Sequence, residues 1–339
     1  MRGRRRSGSP SSTLVFDTYW RFAHRRQEIY FGRVANEDPP WTDDEILSSY
    51  RFTNVFRAAD RVSQYLIRRV IYHAGYASDS EEDIVLRILL FKIFNRISTW
   101  ELLEQHVGRV TAESFDRALY AGVLRKEMSA GRPIYSPAYI VPSPTRYGFP
   151  RKHENHLTLL AGMLSDRIGA RIADAPSMAH VFGILRSYHG LGDFLAYQFA
   201  VDINYSELTD FSENEFVMPG PGAMEGIRKA FSDRGGVSDA DIIRQVTEDQ
   251  ELHFDRLGLS FRPLFGRPLQ LIDSQNLFCE VAKYSRVAHP SFTSPEGRKR
   301  IKQRFAPSPT ELPAPWFPPK WGLNSIVSSS LQPGGTAWN

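Results

Sequence analysis

Apolar residues recur at intervals of three and four along most of this chain, and this spacing limits the folds that it can adopt. Such spacing is typical of an amphipathic helix, whereas the alternation of a β-strand is rare. The sequence therefore predicts an all-α protein. The predicted helices cover residues 16–31, 43–73, 81–95, 100–106, 153–168, 177–187, 193–204, 222–232, 239–257 and 270–287. Residues 129–150 are rich in proline, glycine and aromatic residues, which predicts a long ordered loop of the kind that carries function.

The composition narrows the class of protein. Of the 339 residues, 42% are hydrophobic and 12% aromatic, which is enough for a substantial core. The single cysteine, Cys279, excludes an intrachain disulfide framework and a zinc site built from several cysteines. A single cysteine is also compatible with a reducing intracellular compartment, which is the location that we expect. No apolar run approaches the roughly 20 residues of a membrane-spanning helix, so we expect no membrane partner. The net charge of +4 permits binding to a polyanion without requiring it.

Both ends of the chain differ from its middle. Residues 1–15 open with MRGRRRSGSPSS and are predicted to form a disordered basic tail. A second disordered tail is predicted for residues 324–339. The helical region between them, residues 16–323, can form one body or two lobes around a cleft. Near its end, FAPSPTELPAPWFPPKWG is rich in proline, which predicts an extended segment lying on the fold.

The segment LRSYHGLGDFLAYQF, residues 185–199, ends one predicted helix and begins the next across two glycines. Its apolar spacing is that of a helix-hairpin-helix, set by Leu185, Tyr188, Leu191, Ala196 and Phe199. Gly190 and Gly192 can adopt positive φ without a steric penalty. The first amides of the second helix would then face outward and bind an anion, with His189 beside them. An ordinary tight turn between two helices is the alternative.

Eighteen residues beyond Gly192 lies Asp210. A hairpin followed at about this distance by an aspartate is the arrangement of the helix-hairpin-helix DNA glycosylases, in which the carboxylate faces a flipped nucleotide. Such a carboxylate can stabilise positive charge on the sugar or act as a base. Phe194 stands where the lyase-type members have lysine, which argues against Schiff-base chemistry. A role for Asp210 in the loop alone is the alternative, and the rival carboxylates are Asp202, Glu213 and Glu215.

Two further groups of polar residues are candidates for DNA contact. Asn54, Arg57, Arg61, Gln64 and Arg68 recur at steps of three and four, which predicts a line of donors along one face of the helix over 43–73. In the second group, the helix over 270–287 carries Asp273, Asn276, Glu280 and Lys283 on one stripe, beside Gln275. We assign Arg57 and Arg61 to the DNA backbone, and Asn54, Gln64, Asp273 and Asn276 to base recognition. A solvated face and a structural network are the respective alternatives.

A metal site and a cofactor are not predicted. His153 and His156 are spaced as a pair on one helical face, but no cysteine or carboxylate motif accompanies them. The pattern G-x-x-x-x-G-K-[ST], which cradles phosphates in P-loop kinases, is absent from the sequence.

Taken together, several segments resemble one family, the helical domain associated with phage 5-hydroxymethyluracil DNA kinases and related thymine-hypermodification proteins. The resemblance spans residues 16–323 and rests on YRFTNVFRAADRVSQYL, RILLFKIFNRISTWELL, YSPAYIVPSP, LRSYHGLGDFLAYQFAVDINYSELTDFSENEFVMPGPGA, GRPLQLIDSQNLFCEVAKYSR and FPPKWGL. It implies an all-helical fold similar to the helix-hairpin-helix glycosylases and a part in modifying thymine-derived bases in DNA. Without a P-loop, the chain resembles the helical domain standing alone.

Three functions follow from the residues and the resemblance. The first is a DNA-binding, glycosylase-like protein that holds a flipped 5-hydroxymethyluracil or its phosphorylated form, with Asp210 as the reactive carboxylate. The second is a module without catalytic activity that recruits a separate P-loop kinase or transferase to modified DNA. The third is a glycosylase that excises the base.

Overall fold

The computed structural model describes residues 10–73, 75, 79–292, 299–306 and 313–330. Fifteen α-helices lie within these residues, and their only paired strands are the two-residue β1 and the three-residue β2. The α-helices are α1 Leu14–Val34, α2 Glu45–Ser49, α3 Arg61–Tyr65, α4 Glu81–Phe94, α5 Ile97–Val107, α6 Arg117–Ser129, α7 Lys152–Ser165, α8 Ile168–Ala173, α9 Met178–Arg186, α10 Asp193–Ile203, α11 Pro221–Ala230, α12 Asp239–Glu248, α13 Gln250–Arg256, α14 Leu271–Ala288 and α15 Asn324–Ser330. The all-α prediction is confirmed.

Shorter elements complete the secondary structure. β1 (Ser11–Ser12) pairs antiparallel with β2 (Phe231–Asp233). Turns of 3-10 helix cover Arg57–Ala59, Thr145–Tyr147 and Pro319–Trp321, and a π-helical turn covers Leu66–Ile71. None of the described helices combines the length and apolar character needed to cross a membrane.

The chain divides into two compact units. The first contains Met1–Asp60, Phe216–Pro315 and Gly322–Asn339, and the second contains Arg61–Glu215 and Trp316–Trp321. The second unit therefore receives one short segment from near the C-terminus in addition to its continuous stretch.

The second unit is organised around α4 and α10, which are buried on most sides. A helix that is apolar all round is stable only when other helices surround it. Ser80 and Asp83 form a capping box at the start of α4, and Asn95 ends it in a left-handed conformation. Lys92 of α4 lies 3.5 Å from the buried carboxylate of Asp202 on α10, so the two central helices are joined by a buried ion pair.

In the first unit α11 lies against α14 at very close range. A Cβ placed on Gly226 of α11 would lie 2.0 Å from the carbonyl oxygen of Phe278 on α14. Only glycine permits this approach of the two backbones, because any side chain would overlap the facing helix. Phe278 is itself fully buried and packs on Tyr19 of α1, with ring centroids 4.6 Å apart.

The prediction of one helix over residues 43–73 is wrong. After α2 the backbone is extended around residues 50–56, and helical structure returns only at Arg57. Tyr50 forms a bridge with Arg304, and the amide of Thr53 donates to the carboxylate of Glu280 at 3.1 Å. These partners lie more than 200 residues away, so the helical periodicity of this stretch is overridden by tertiary contacts.

Smaller differences concern short helices. The predicted helix over 239–257 is interrupted between α12 and α13, whereas α6 and α8 were not predicted. The N-cap of α6 is Asp116, whose carboxylate accepts the amides of Ala118 and Leu119. α8 has only six residues, too few for a periodic pattern. At the two ends of the chain α1 begins at Leu14 and α15 occupies Asn324–Ser330, while residues 1–9 and 331–339 lie outside the described part.

Candidate functional site

The turn between α9 and α10 is built around one glycine with positive φ. Gly190 has φ of +97°, and a Cβ at this position would lie 2.6 Å from the Cβ of Pro144. Gly192 instead has φ of −78° and serves as the N-cap of α10. Of the two glycines that can adopt positive φ without a steric penalty, only Gly190 therefore does so. The apolar residues Leu185 and Leu191 of the motif are buried, as their spacing predicted.

The start of α10 is open on the side where an anion would approach. Gly192 and His189 are exposed, and no described heavy atom lies within 4 Å of the position that a Cβ on Gly192 would occupy. Asp193, the first residue of α10, is held by Arg186 with a separation of 2.5 Å between Nε and Oδ1. This ion pair offsets the negative charge next to the helix N-terminus, where the first amides favour an anion.

The aromatic loop over residues 130–151 lies beside this turn. Besides the contact of Pro144 with Gly190, the ring of Tyr139 lies 6.2 Å from that of Phe194 on α10. The ammonium of Lys92 lies 4.8 Å from the centre of the Tyr139 ring, at cation–π distance. Ile140 is 74% exposed. The loop is therefore ordered against the turn rather than free of it.

Asp210 lies on a short loop that follows α10, here called the Asp210 loop (residues 204–211). The side chain of Asn204 holds it together: its Oδ1 accepts from the hydroxyl of Thr209 and the amide of Phe211, each at 3.0 Å. Its Nδ2 donates to the carbonyl of Phe211 at 2.9 Å. The Asp210 side chain itself is 86% exposed. A fixed loop thus presents a solvent-accessible carboxylate.

Two further side chains hold the Asp210 loop from outside. The hydroxyl of Tyr72 lies 2.9 Å from the carbonyl of Tyr205 and 2.8 Å from the carboxylate of Glu207, so its single proton is donated to one of these acceptors or shared between them. Burial, followed by the hydrogen bond to Glu207, raises the pKa of Tyr72 well above its ordinary value, so the phenol remains a donor at neutral pH. Lys320 donates to the carbonyls of Ser206 and Thr209.

The rival carboxylates lie in different surroundings. Asp202 is fully buried beside Lys92, and Glu213 is also buried. Glu215 is exposed, as Asp210 is. Burial beside a cation makes Asp202 part of the core of the second unit. Of the four candidate carboxylates, Asp210 is the one that is exposed and lies on the Asp210 loop, where the exposed Glu207 is bonded to Tyr72.

The polar residues expected on one face of a helix over 43–73 do not share such a face. Asn54 and Arg57 belong to the first unit, whereas Arg61, Gln64 and Arg68 belong to the second. Arg57 is only 5% exposed, but Arg61 and Arg68 are exposed. The expected alignment is wrong because the backbone is extended around residues 50–56.

Contacts within the protein engage most of the expected base-reading groups. The Asn54 side chain accepts from Arg26 at 2.6 Å and donates to the carbonyl of Ala59 at 2.8 Å. Asp273 caps α14 and accepts the amide of Arg57 at 2.8 Å, so the structure brings these two predicted residues together. Two similar contacts are made by Gln64, which accepts the amide of Trp316 at 2.8 Å, and by Asn276, which accepts from Gln275 at 2.9 Å. Base recognition by Asn54, Gln64, Asp273 and Asn276 stays a prediction.

Sequence reasoning did not find the role of Asp60. Its carboxylate accepts the amide of Asn54 at 2.8 Å and lies in the electrostatic field of Arg26, Glu280 and Arg57. Burial raises the pKa of Asp60 to about 6, and the Asn54 hydrogen bond and the Arg26 charge oppose this rise. In the sequence Asp60 looks like an ion-pair partner of its neighbouring arginines, and only the tertiary contacts reveal the surroundings that raise its pKa.

The raised pKa of Asp60 predicts a pH dependence of stability. A carboxyl whose pKa is higher in the folded than in the unfolded state binds more protons when folded, so stability falls as pH rises from about 4 to about 6. Asp60→Asn mimics the protonated form and keeps an acceptor for Asn54. We expect this variant to be about 1–2 kcal/mol more stable than wild type at pH 7.5 and equal to it at pH 4. Urea unfolding between pH 4 and pH 7.5 measures the free energy of unfolding of both proteins, and Asp255→Asn, which replaces an exposed carboxylate, is the control. A difference in stability between wild type and Asp60→Asn that does not change with pH would contradict the prediction.

The histidine pair of α7 lies in the core. His153 and His156 are both buried, and the two ring nitrogens of His156 lie 2.8 Å from the hydroxyl of Tyr135 and 2.8 Å from the carbonyl of Pro142. Burial lowers the pKa of His156 to about 4, so it is neutral at physiological pH. Of the residues that the structure describes, no group of three or more His, Cys, Asp or Glu lies where it can hold a metal ion.

Comparisons with known proteins place the chain in a family. Residues 13–294 match the family model described as "5-hmdU DNA kinase, helical domain". A curated relative, the 5-hmdU DNA kinase of Bacillus phage SP10, is 30% identical over 297 residues, which cover 83% of this chain and 46% of the relative. The chain thus spans about half the length of that relative. No solved structure matches the chain. The resemblance expected from the sequence motifs is confirmed, and the chain belongs to the family of the 5-hmdU DNA kinase helical domain.

Proposed function

We propose that this protein binds DNA in a thymine-hypermodification pathway, where it holds a flipped nucleotide that carries 5-hydroxymethyluracil or its phosphorylated form. The family match over residues 13–294 carries this proposal, because the family and the phage relative are both named for a kinase acting on this nucleoside in DNA. Because the proposed partner is DNA, we propose that the protein is located inside the cell. The reaction that we assign to the site is either substitution at the modified base or removal of that base.

The turn between α9 and α10 is the proposed contact with the DNA backbone. Its exposed glycine N-cap and the outward amides of α10 suit a phosphate, and His189 lies beside them on the surface. Arg61, exposed on α3 of the same unit, adds positive charge. Arg57 is also proposed to add positive charge for the DNA backbone. Because its side chain is buried, it would act through its charge and not by hydrogen bonding to a phosphate.

Asp210 is the proposed reactive carboxylate. Its loop is fixed by Asn204, Tyr72 and Lys320, while its side chain remains accessible to a substrate. Such pre-organisation lets a carboxylate stabilise developing positive charge, or accept a proton from a nucleophile, without reorganising at the moment of reaction.

A second candidate function is recruitment of a separate P-loop kinase or transferase. The observation in its favour is the lack of a G-x-x-x-x-G-K-[ST] loop in these 339 residues, together with the coverage of only 46% of the phage kinase. A recruiting module would bind modified DNA and leave its bases unchanged.

One experiment separates these functions. The protein is incubated with duplexes that contain thymine, 5-hydroxymethyluracil or phosphorylated 5-hydroxymethyluracil, with and without a small amine, and the nucleosides and free bases are analysed by mass spectrometry. A new substituted nucleoside supports the leading proposal. Binding without any product supports recruitment. Free base with abasic sites shows that the reaction is removal of the base and not substitution.

Binding itself is expected to depend strongly on salt. If the turn and the arginines neutralise a few phosphates, the affinity for modified duplex falls roughly 10- to 100-fold between 50 and 200 mM salt. Fluorescence anisotropy with labelled duplexes measures this dependence. A weak dependence on salt, or equal affinity for thymine and 5-hydroxymethyluracil duplexes, would contradict the proposed recognition of a modified base on the DNA backbone.

A further inference from the structure

The segment Trp316–Trp321 lies beyond the residues matched by the family model, yet it is built into the second unit. The amide of Trp316 donates to Gln64, and its ring lies 5.2 Å from that of Tyr72. Trp321 contacts Tyr205 of the Asp210 loop, with ring centroids 5.7 Å apart. Both ends of this short segment are therefore anchored, and one of them rests on the Asp210 loop.

Lys320 makes the central contacts of this segment. Its side chain is only 11% exposed, and its ammonium donates to the carbonyls of Ser206, at 2.8 Å, and of Thr209. The same nitrogen lies 3.8 Å from Oδ1 of Asp210. The two carbonyls accept hydrogen bonds from the ammonium, whereas Asp210 at 3.8 Å interacts with it as an ion pair without a hydrogen bond.

We propose that Lys320 is a positioning residue for Asp210 and that Trp316–Trp321 completes the candidate site. This inference rests on the proposed role of Asp210. Lys320 fixes the backbone on the N-terminal side of Asp210 through two carbonyls, and its charge favours a carboxylate rotamer directed toward it. An exposed carboxylate on a short loop would otherwise adopt several rotamers. The fraction of molecules with the carboxylate in the reactive orientation would then be lower.

The contacts also explain why a lysine is needed at this position. A neutral side chain without donors would leave the carbonyls of Ser206 and Thr209 without the ammonium, and Asp210 without its nearby cation. Loss of hydrogen bonds to a charged donor weakens local structure more than loss of neutral ones. The effect is expected to be local, because Asn204 and Tyr72 still hold the rest of the loop.

The test compares Lys320→Met with Lys126→Met, which removes an exposed lysine of the same unit. We expect amide hydrogen exchange in residues 204–211 to become about tenfold faster in Lys320→Met only. Turnover on 5-hydroxymethyluracil duplexes is expected to fall about 10- to 100-fold, while the DNA affinity stays unchanged. Lys320→Gln, which keeps two N–H donors without the charge, serves as the second variant if Lys320→Met does not fold.

A double-mutant cycle with Asp210→Asn distinguishes positioning from a general structural role. If Lys320 acts through Asp210, adding Lys320→Met to Asp210→Asn lowers turnover no further, although loop exchange is still faster. If amide exchange or turnover is unchanged in the Lys320 variants while turnover falls in Asp210→Asn, this inference is overturned and the proposed function stands. A further loss of turnover in the double variant also overturns this inference. Wild-type protein without turnover, or Asp210→Asn without a loss, overturns the proposed function together with this inference.

Discussion

Replacement of Asp210 by Asn is expected to lower turnover on 5-hydroxymethyluracil DNA by about 100- to 10,000-fold, the range that positioned acid–base groups contribute. Asparagine has nearly the same shape but carries no negative charge, so it neither stabilises a positive transition state nor accepts a proton. Because Asp210 is 86% exposed and its loop is held by Asn204, the substitution should leave folding intact. The DNA affinity is expected to change less than about threefold, or about 0.7 kcal/mol.

Mass spectrometry of digested nucleosides measures turnover, and anisotropy measures the affinity. Glu215→Gln is the matched control, since Glu215 is an exposed carboxylate a few residues further along the chain. Equal, measurable turnover in wild type and Asp210→Asn would remove the catalytic role of Asp210 and require another reactive group. Binding without turnover in the wild type would instead leave recruitment as the better function. A loss of DNA affinity in parallel with turnover would instead make Asp210 a binding residue.

Replacement of Gly190 by Ala is expected to destabilise the protein by roughly 2–4 kcal/mol. Its φ of +97° is costly for any residue with a Cβ, and the new methyl group would lie 2.6 Å from the Cβ of Pro144. Either the turn between α9 and α10 or the aromatic loop must then move. Urea unfolding measures the stability, and DNA anisotropy below the unfolding transition reports whether the turn still binds.

Gly192 provides the contrasting substitution. Its φ of −78° is ordinary for alanine, and no described atom lies within 4 Å of the added Cβ. Gly192→Ala should therefore cost at most about 1 kcal/mol, through the poorer N-cap. If a phosphate rests on the start of α10, the methyl group lies in its path, and we expect about tenfold weaker DNA binding. Unchanged affinity in Gly192→Ala would argue that the backbone contact lies elsewhere; a large loss of stability would contradict the open geometry of the turn.

The long helices and the position of the turn between α9 and α10 could be predicted from local sequence. α4, α7, α10 and α14 carry repeated apolar positions, and a periodic pattern over several turns allows few other structures. The break between α9 and α10 was likewise visible in the paired glycines. Asp210 could be nominated by its distance from that turn, but its exposure and its fixed loop could not be read from the spacing.

Residues 50–60 show where local reasoning fails. Their polar residues recur with helical spacing, yet Thr53, Arg57 and Asn54 bond to Glu280, Asp273 and Arg26, and Asp60 is half-buried among these charges. An extended backbone satisfies those distant partners better than a helix would. The raised pKa of Asp60 follows from the same arrangement, since burial depends on elements that are remote in sequence.

The sequence alone determined that the chain is all-helical, where the turn between α9 and α10 lies and to which family the chain belongs, because each of these follows from short-range spacing or from motifs. Tertiary structure decided which carboxylate is exposed and which is buried, that Gly190 and Gly192 serve different purposes, and that Lys320 reaches Asp210 from about 110 residues away. These features depend on contacts between distant segments, and local spacing carries no information about which distant side chain will supply a hydrogen bond or a charge.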